Sequence, residues 1–209
     1  SSMRLILAST SPRRREILSL LGIPFEVVAP PFEEVVSPSR SIEKEVLDFA
    51  IGKAACVAAN HPDTVVIGSD TMILLGDKKI GKPADAGEAK RMLAAFADRT
   101  HRIYTSVAIV DPGGPGLRCV EEAEVKMRGY SEKEIEKYLA CGESYDKAGA
   151  YSIQGRGREL IESIEGDYLA AVGLPLRPIA RYLTGRGVAE AVDVEKIYAE
   201  KSYRNWSSF

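Results

Sequence analysis

Little in this sequence can hold a metal through sulfur or imidazole. It has three cysteines, Cys56, Cys119 and Cys141, far apart and odd in number, and two histidines, His61 and His101. With no C-x-x-C pair, the cysteines argue against a disulfide framework or a zinc knuckle and fit a reducing compartment. Cys56, in an apolar helical pattern, reads as a small core residue. Neither histidine has a partner at ligand spacing, so a His-based zinc centre or a Ser-His-Asp triad is not expected. Both read as structural or surface residues. A G-x-x-x-x-G-K-[ST] run is missing, which excludes a Walker loop. Net charge is −2, too little for the basic field that nucleic acid calls for. No apolar run reaches the roughly 18 residues of a membrane span, and Met3–Ala8 turns polar too soon for a signal peptide. No nucleic-acid or membrane partner is expected, and the location expected is the cytoplasm. Ser1-Ser2, ahead of Met3, read as a cloning remnant outside the fold.

What is present is an ordinary globular balance: 209 residues, 45% hydrophobic and 28% charged. That length suits one large domain, or one with two lobes, able to bury a core without covalent staples. Leu5–Ala8 reads as a buried strand, followed by a helix with Ser11 as its cap and Pro12 in its first turn. Phe25–Val28 is a second short strand. Ser41 caps a long helix to about Asn60, whose apolar residues Val46, Phe49, Ala50, Ala54 and Val57 follow helical spacing, with Lys53 near the edge of the stripe. Thr64–Ile67 is a strand leading into Gly68-Ser69-Asp70-Thr71. Met72–Leu75 continues it, and Gly76-Asp77 turns it back through Lys79–Ile80. Asp85 caps the next helix, and two long strands, His101–Val110 and Leu117–Met127, flank a turn. Ser131 and Glu134 form a capping box. After the polar loop Tyr145–Gly157 come a strand around Glu159–Ile164 and a helix after Pro175. Helices alternate with hairpins, which predicts a mixed α/β fold, a twisted sheet with flanking helices. The stretch 188–209 reads as a tail, helical or loose, of unknown role, and Trp206 within it gets no assignment.

Several segments carry chemistry. Ser9, Thr10 and Ser11 offer hydroxyls beside a helix N-terminus, and Arg13 and Arg14 add forks matched to phosphate oxygens. A capped helix with a solvated arginine face is the plainer reading. Asp70, following a buried strand, can bind a divalent ion or activate water, or can simply bond its own backbone in a turn. Glu33 and Glu34 are a surface pair or hold Mg²⁺, which takes few protein carboxylates. Lys53 and Lys82 can each bring a point charge to a polyphosphate. In Asp146-Lys147-Ala148-Gly149-Ala150-Tyr151-Ser152-Ile153-Gln154-Gly155, the Gln154 amide can pair with a base edge.

In order along the chain, Ser9-x-Ser11-Pro12-Arg13-Arg14, Glu33-Glu34, Lys53, Gly68-Ser69-Asp70-Thr71 and Lys82-Pro83 are followed by Asp146-Lys147-Ala148-Gly149, Ile153-Gln154-Gly155 and Val172-Gly173-Leu174-Pro175-Leu176. Together they resemble the Maf-like nucleoside triphosphate pyrophosphatases, from about Leu5 to Leu183. The resemblance implies a two-lobed fold related to the inosine triphosphatase type, with a central cleft and a family domain over residues 3–187. It implies hydrolysis between the α- and β-phosphates, with Mg²⁺ or another divalent cation such as Mn²⁺ as cofactor. By similarity Asp70 is the base that prepares water, and Glu34 and Asp70 hold the metal. Ser9, Ser11, Arg13, Arg14, Lys53, Lys82, Thr71, Asp146, Lys147 and Gln154 bind the substrate. Cations near Asp70 are expected to favour its ionised form.

The family has branches. Arg13, Thr71 and Gln154 match the one that prefers dTTP and UTP. The branch that prefers 7-methyl-GTP places a Trp where Arg13 stands and a Glu near Gln154. Arg156, Arg158 and Ser152 depart from the usual residues of the first branch, and nothing after Leu183 has a placed counterpart. The expected partner is therefore a nucleoside triphosphate, with a homodimer as candidate assembly. Two rival readings are a non-catalytic nucleotide-binding regulator of septum formation and a nucleotidyltransferase.

Overall fold

The computed structural model describes residues 3–189 and 192–209. Ser1-Ser2, expected as a remnant, and residues 190–191 of the expected tail lie outside the described residues. By its internal contacts the chain divides into two compact units. The first comprises Ser1–Thr71, Thr105–Glu121 and Gly173–Lys201, and the second Met72–Tyr104, Glu122–Val172 and Ser202–Phe209. The elements are β1 (Arg4–Leu7), α1 (Pro12–Ser19), β2 (Glu26–Val27), α2 (Ile42–Ala58), β3 (Thr64–Leu75), β4 (Lys78–Ile80) and α3 (Ala86–Phe96). They continue as β5 (Thr100–Val110), β6 (Leu117–Met127), α4 (Glu132–Leu139), β7 (Ile161–Glu165), α5 (Tyr168–Val172), α6 (Leu176–Gly185) and α7 (Val194–Glu200). The strands form one sheet in the order β2-β1-β3-β5-β6-β7, with β4 on β3. It is mixed, as expected: β1 runs parallel to β2 and β3, while β3–β4 and β6–β7 are antiparallel.

In the first unit the period of two in β1 meets the period of 3.6 in α2. Ile6 and Ala8 face the same side, and Ala50, Ala54 and Val57 of α2 close on them with Val66 and Ala108. Small residues at positions 50 and 54 bring helix and sheet close. Both helices begin where expected: the Ser11 side chain accepts from Arg14 N–H, and Ser41 from Lys44 N–H. The end of β5 is tied to α6 by Asp111, which accepts from the Arg186 guanidinium and the Tyr182 hydroxyl. Cys56 differs from its expected core position and is only half-buried.

In the second unit α3 packs on α4, whose Ser131–Glu134 capping box is present in full. Helix α5 was not foreseen. It is five residues long, has no capping signal and is buried throughout. The stretch expected as a tail is structured where described: α7 belongs to the first unit and Ser202–Phe209 to the second. Trp206 is buried and stacks on Tyr168 at 6.0 Å between ring centres. No helix among the described residues is long and apolar enough to cross a membrane.

His101 sits inside this unit against Phe96 and Tyr151, its Nε2 2.6 Å from the Tyr151 hydroxyl. Burial holds its pKa down at about 3. In the unfolded chain the imidazole titrates near its ordinary 6.5. Above that pH both states are neutral there. Below it the unfolded chain takes up a proton that the fold refuses, so stability falls as pH drops from 6.5 towards 3, by about 1.4 kcal/mol per pH unit. His101→Gln is expected to flatten the fall by one proton's worth, read from urea unfolding at pH 7, 6 and 5. Equal slopes in the two proteins would refute it.

Candidate active site

Asp70 lies in the middle of β3, not in a turn or at a strand end as its sequence context led us to expect. The segment Gly68-Ser69-Asp70-Thr71 stays in the sheet because its neighbours supply partners on both sides. The Ser69 hydroxyl donates to the Ser106 carbonyl at 2.7 Å, and Asp70 N–H donates to the Ser106 hydroxyl at 3.2 Å. That hydroxyl in turn donates to Val46 O of α2 at 2.6 Å.

Lys53 reaches Asp70 from α2. Its ammonium lies 3.0 Å from Asp70 Oδ1, 3.3 Å from Ser69 O and 2.5 Å from Glu34 Oε1. Three donors thus meet three oxygens. The approach depends on Gly68. A Cβ there would run into Ala50 O, with Ala54 N only 2.9 Å away. Glu34 arrives on an irregular segment held by Phe32. That ring occupies the space a side chain at Gly52 would need and meets Phe49 edge-on at 6.1 Å.

Arg14, in the first turns of α1, is buried. Its Nε donates to Gly173 O at 2.8 Å and its Nη2 to the Thr71 hydroxyl at 2.9 Å. Thr71 is also 3.1 Å from the Thr105 hydroxyl. Gly173 presents its carbonyl from a backbone with φ +153, where a side chain is strained. The Ser9 hydroxyl accepts from Ser11 N–H at 3.0 Å and so shapes the turn into α1. Arg13 is half-buried beside it.

Burial acts on both carboxylates. Burial pushes Asp70 above the ordinary carboxylate value, against the pull of Lys53 and Arg14. The nearby cations favour the ionised form as expected, and desolvation outweighs them. Burial works on Glu34 too, but less, and its hydrogen bond and charge attraction to Lys53 hold it below the ordinary value. Burial likewise lowers Arg14, countered by the charge of Asp70. Among the described residues no group of three or more His, Cys, Asp or Glu is placed to hold a metal ion.

The first unit thus brings together Ser9, Ser11, Arg13, Arg14, Glu34, Lys53, Asp70 and Thr71. Lys82, Asp146, Lys147 and Gln154 belong to the second. There Lys82 and Asp146 are exposed, Lys147 bonds Asp146 at 2.8 Å, and Gln154 is buried rather than loosely looped. Glu33 is exposed. Sequence reasoning missed Ser106 and the Gly173 carbonyl as site supports. A lone serine in the apolar run Ile103–Val110 was the available signal for the first.

A family model described as Maf-like protein matches residues 4–186. A dTTP/UTP pyrophosphatase of Bacillus mycoides (strain KBAB4) is 42% identical over 180 residues, 86% of this chain and 94% of that protein. The dTTP/UTP pyrophosphatase of Bacillus cereus (strain ZK / E33L) is 41% identical over the same share of each. Among solved structures, the Staphylococcus aureus Ham1 protein aligns at a TM-score of 0.49 and 15% identity, covering 88% of this chain and 99% of that one.

Gly68→Ala is expected to push α2 off β3, costing about 1–3 kcal/mol of stability and lowering turnover in the protein that remains folded, because Lys53 moves with the helix. Thermal unfolding and kinetics at a temperature where both proteins are folded check this. A variant matching the parent in both would show that the close approach is immaterial.

Proposed function

The chain belongs to the Maf-like protein family, and from that premise we propose that it is a nucleoside triphosphate pyrophosphatase hydrolysing dTTP and UTP to the monophosphate and pyrophosphate. Relatives that carry this activity in their names support the substrate class. The observation that carries the chemistry is the meeting of two carboxylates on one ammonium: Lys53 Nζ lies 3.0 Å from Asp70 Oδ1 and 2.5 Å from Glu34 Oε1. Asp70, the more buried of the two carboxylates, takes the proton of the attacking water.

The residues suit Mg²⁺, or Mn²⁺ in its place. A hard cation takes oxygen ligands, and Mg²⁺ commonly uses one or two protein carboxylates, leaving the rest of its shell to water and phosphate. Glu34 and Asp70 would hold it. When bound, it neutralises charge on the phosphate oxygens. Phosphoryl chemistry is largely positioning and charge stabilisation, and the chain's own contribution is cationic. Arg13, Arg14 and Lys53 hold the triphosphate, with Ser9 and Ser11 shaping the turn beside α1. Arg14 is already fixed by Gly173 and Thr71, so little ordering is left for substrate to impose. Lys53 exchanges a carboxylate for a phosphate oxygen. By family resemblance, Arg13, Thr71 and Gln154 mark the base preference, and Lys82, Asp146 and Lys147 belong to the substrate-binding set. We place the enzyme in the cytoplasm, with no nucleic-acid partner and a homodimer as its assembly.

Asp70→Asn is expected to lower kcat by roughly 10²–10⁴-fold, measured as pyrophosphate release from dTTP with Mg²⁺. An unchanged rate removes Asp70 from the mechanism. Across dTTP, UTP, CTP, GTP and 7-methyl-GTP, the first two should give the highest kcat/KM. A preference for 7-methyl-GTP defeats the base assignment, and no release from any of them defeats the hydrolase reading and leaves the nucleotide-binding regulator and the nucleotidyltransferase.

A further inference from the structure

The segment Ser202–Phe209 lies beyond the family match, which ends at residue 186, yet it is built into the second unit. Three contacts fix it to Tyr168 of α5. Trp206 and Phe209 stack on the Tyr168 ring, and the Tyr168 hydroxyl donates to Arg204 O at 2.6 Å. So anchored, the segment delivers Asn205 to the loop that bears Gln154. The Asn205 amide nitrogen donates to Ile153 O at 3.0 Å and to Gly155 O at 2.9 Å, the carbonyls on either side of Gln154. The orientation of the amide follows from chemistry: turned over, its oxygen would face two carbonyl oxygens. Asn205 holds this position with φ 65, a left-handed conformation that Asn tolerates better than most residues.

Glu143 holds the same loop further along. Its carboxylate accepts from Arg156 N–H at 3.0 Å and Gly157 N–H at 3.3 Å, and from the Tyr138 hydroxyl at 2.8 Å. A pocket of about 520 Å³ opens here, lined by Gln154, Arg156, Arg158, Arg204 and Asn205 among others. Arg156 and Arg158, the departures noted in the sequence, therefore stand beside Asn205.

We propose that Asn205 is a positioning residue for base selectivity: by bridging the carbonyls of Ile153 and Gly155, it fixes the backbone from which Gln154 reaches the base. This rests on the reading above, in which Gln154 reads the base. The need for such a hold is chemical. Thymine and uracil offer an N3–H donor and a carbonyl at position 4, while cytosine offers an N3 acceptor and an amino group. A carboxamide turned end for end pairs with either. Selectivity therefore begins with a backbone that presents the amide from one place.

The test uses the full chain and two variants that keep the left-handed backbone. Asn205→Gly removes the amide, and Asn205→Asp puts a second acceptor against the two carbonyls. Both are expected to lower the dTTP-to-CTP ratio of kcat/KM by about tenfold, mostly through KM for dTTP, with kcat little changed. Amide hydrogen exchange across residues 152–157 should quicken in both. Unchanged exchange overturns the proposal whatever the activity. Quickened exchange with an unchanged ratio overturns the link to selectivity. A parent chain that releases no pyrophosphate defeats the functional reading instead, while exchange still decides whether Asn205 holds the loop.

Discussion

Lys53 places one ammonium against Glu34, Asp70 and the Ser69 carbonyl from a side chain only 12% exposed. Burying charge is costly unless every charge finds partners, and here each partner comes from a different part of the first unit. Asp70 comes from a strand, Lys53 from a helix and Glu34 from an irregular segment. The ammonium is what allows two carboxylates to share the site. Arg14 adds a second cation whose forks are already committed to Gly173 and Thr71.

Two glycines make that convergence possible through what they lack. Gly68 lets the backbone of α2 come down on β3, and Gly52 leaves room for the Phe32 ring that carries Glu34 towards Lys53. Ser106 then joins α2 to the strand by bonding both Val46 O and Asp70 N–H. The chemistry is thus held by close backbone approach and buried hydroxyls more than by loops, in keeping with the need to fix reacting groups closely.

The second unit solves a different problem: holding an irregular stretch of backbone in one conformation. The loop from Ser152 to Gly157 is bonded through its main chain by Glu143 and Asn205. Gly157 has no room for a side chain against the Ser152 backbone. Gln154 is therefore presented from a fixed frame although no regular element contains it.

The amino-acid sequence by itself determined the features that are local. Caps at Ser11, Ser41 and Asp85, the box at Ser131–Glu134 and the hairpin at Gly76-Asp77 were legible because each is settled within a few residues. The helical stripe of α2 was legible from its period, and the family from the order of the motifs. Tertiary structure alone decided the rest. It kept Asp70 inside β3, because Ser106 on β5 supplies the partners that a turn would otherwise provide. It raised the proton affinity of Asp70, because desolvation depends on everything packed around a group and leaves no trace in spacing. It formed α5, too short for a signal of its own. It gave Trp206 and Asn205 their places, since one aromatic and one amide in a polar stretch have no period to read, and their partners Tyr168, Ile153 and Gly155 are dozens of residues away in the chain.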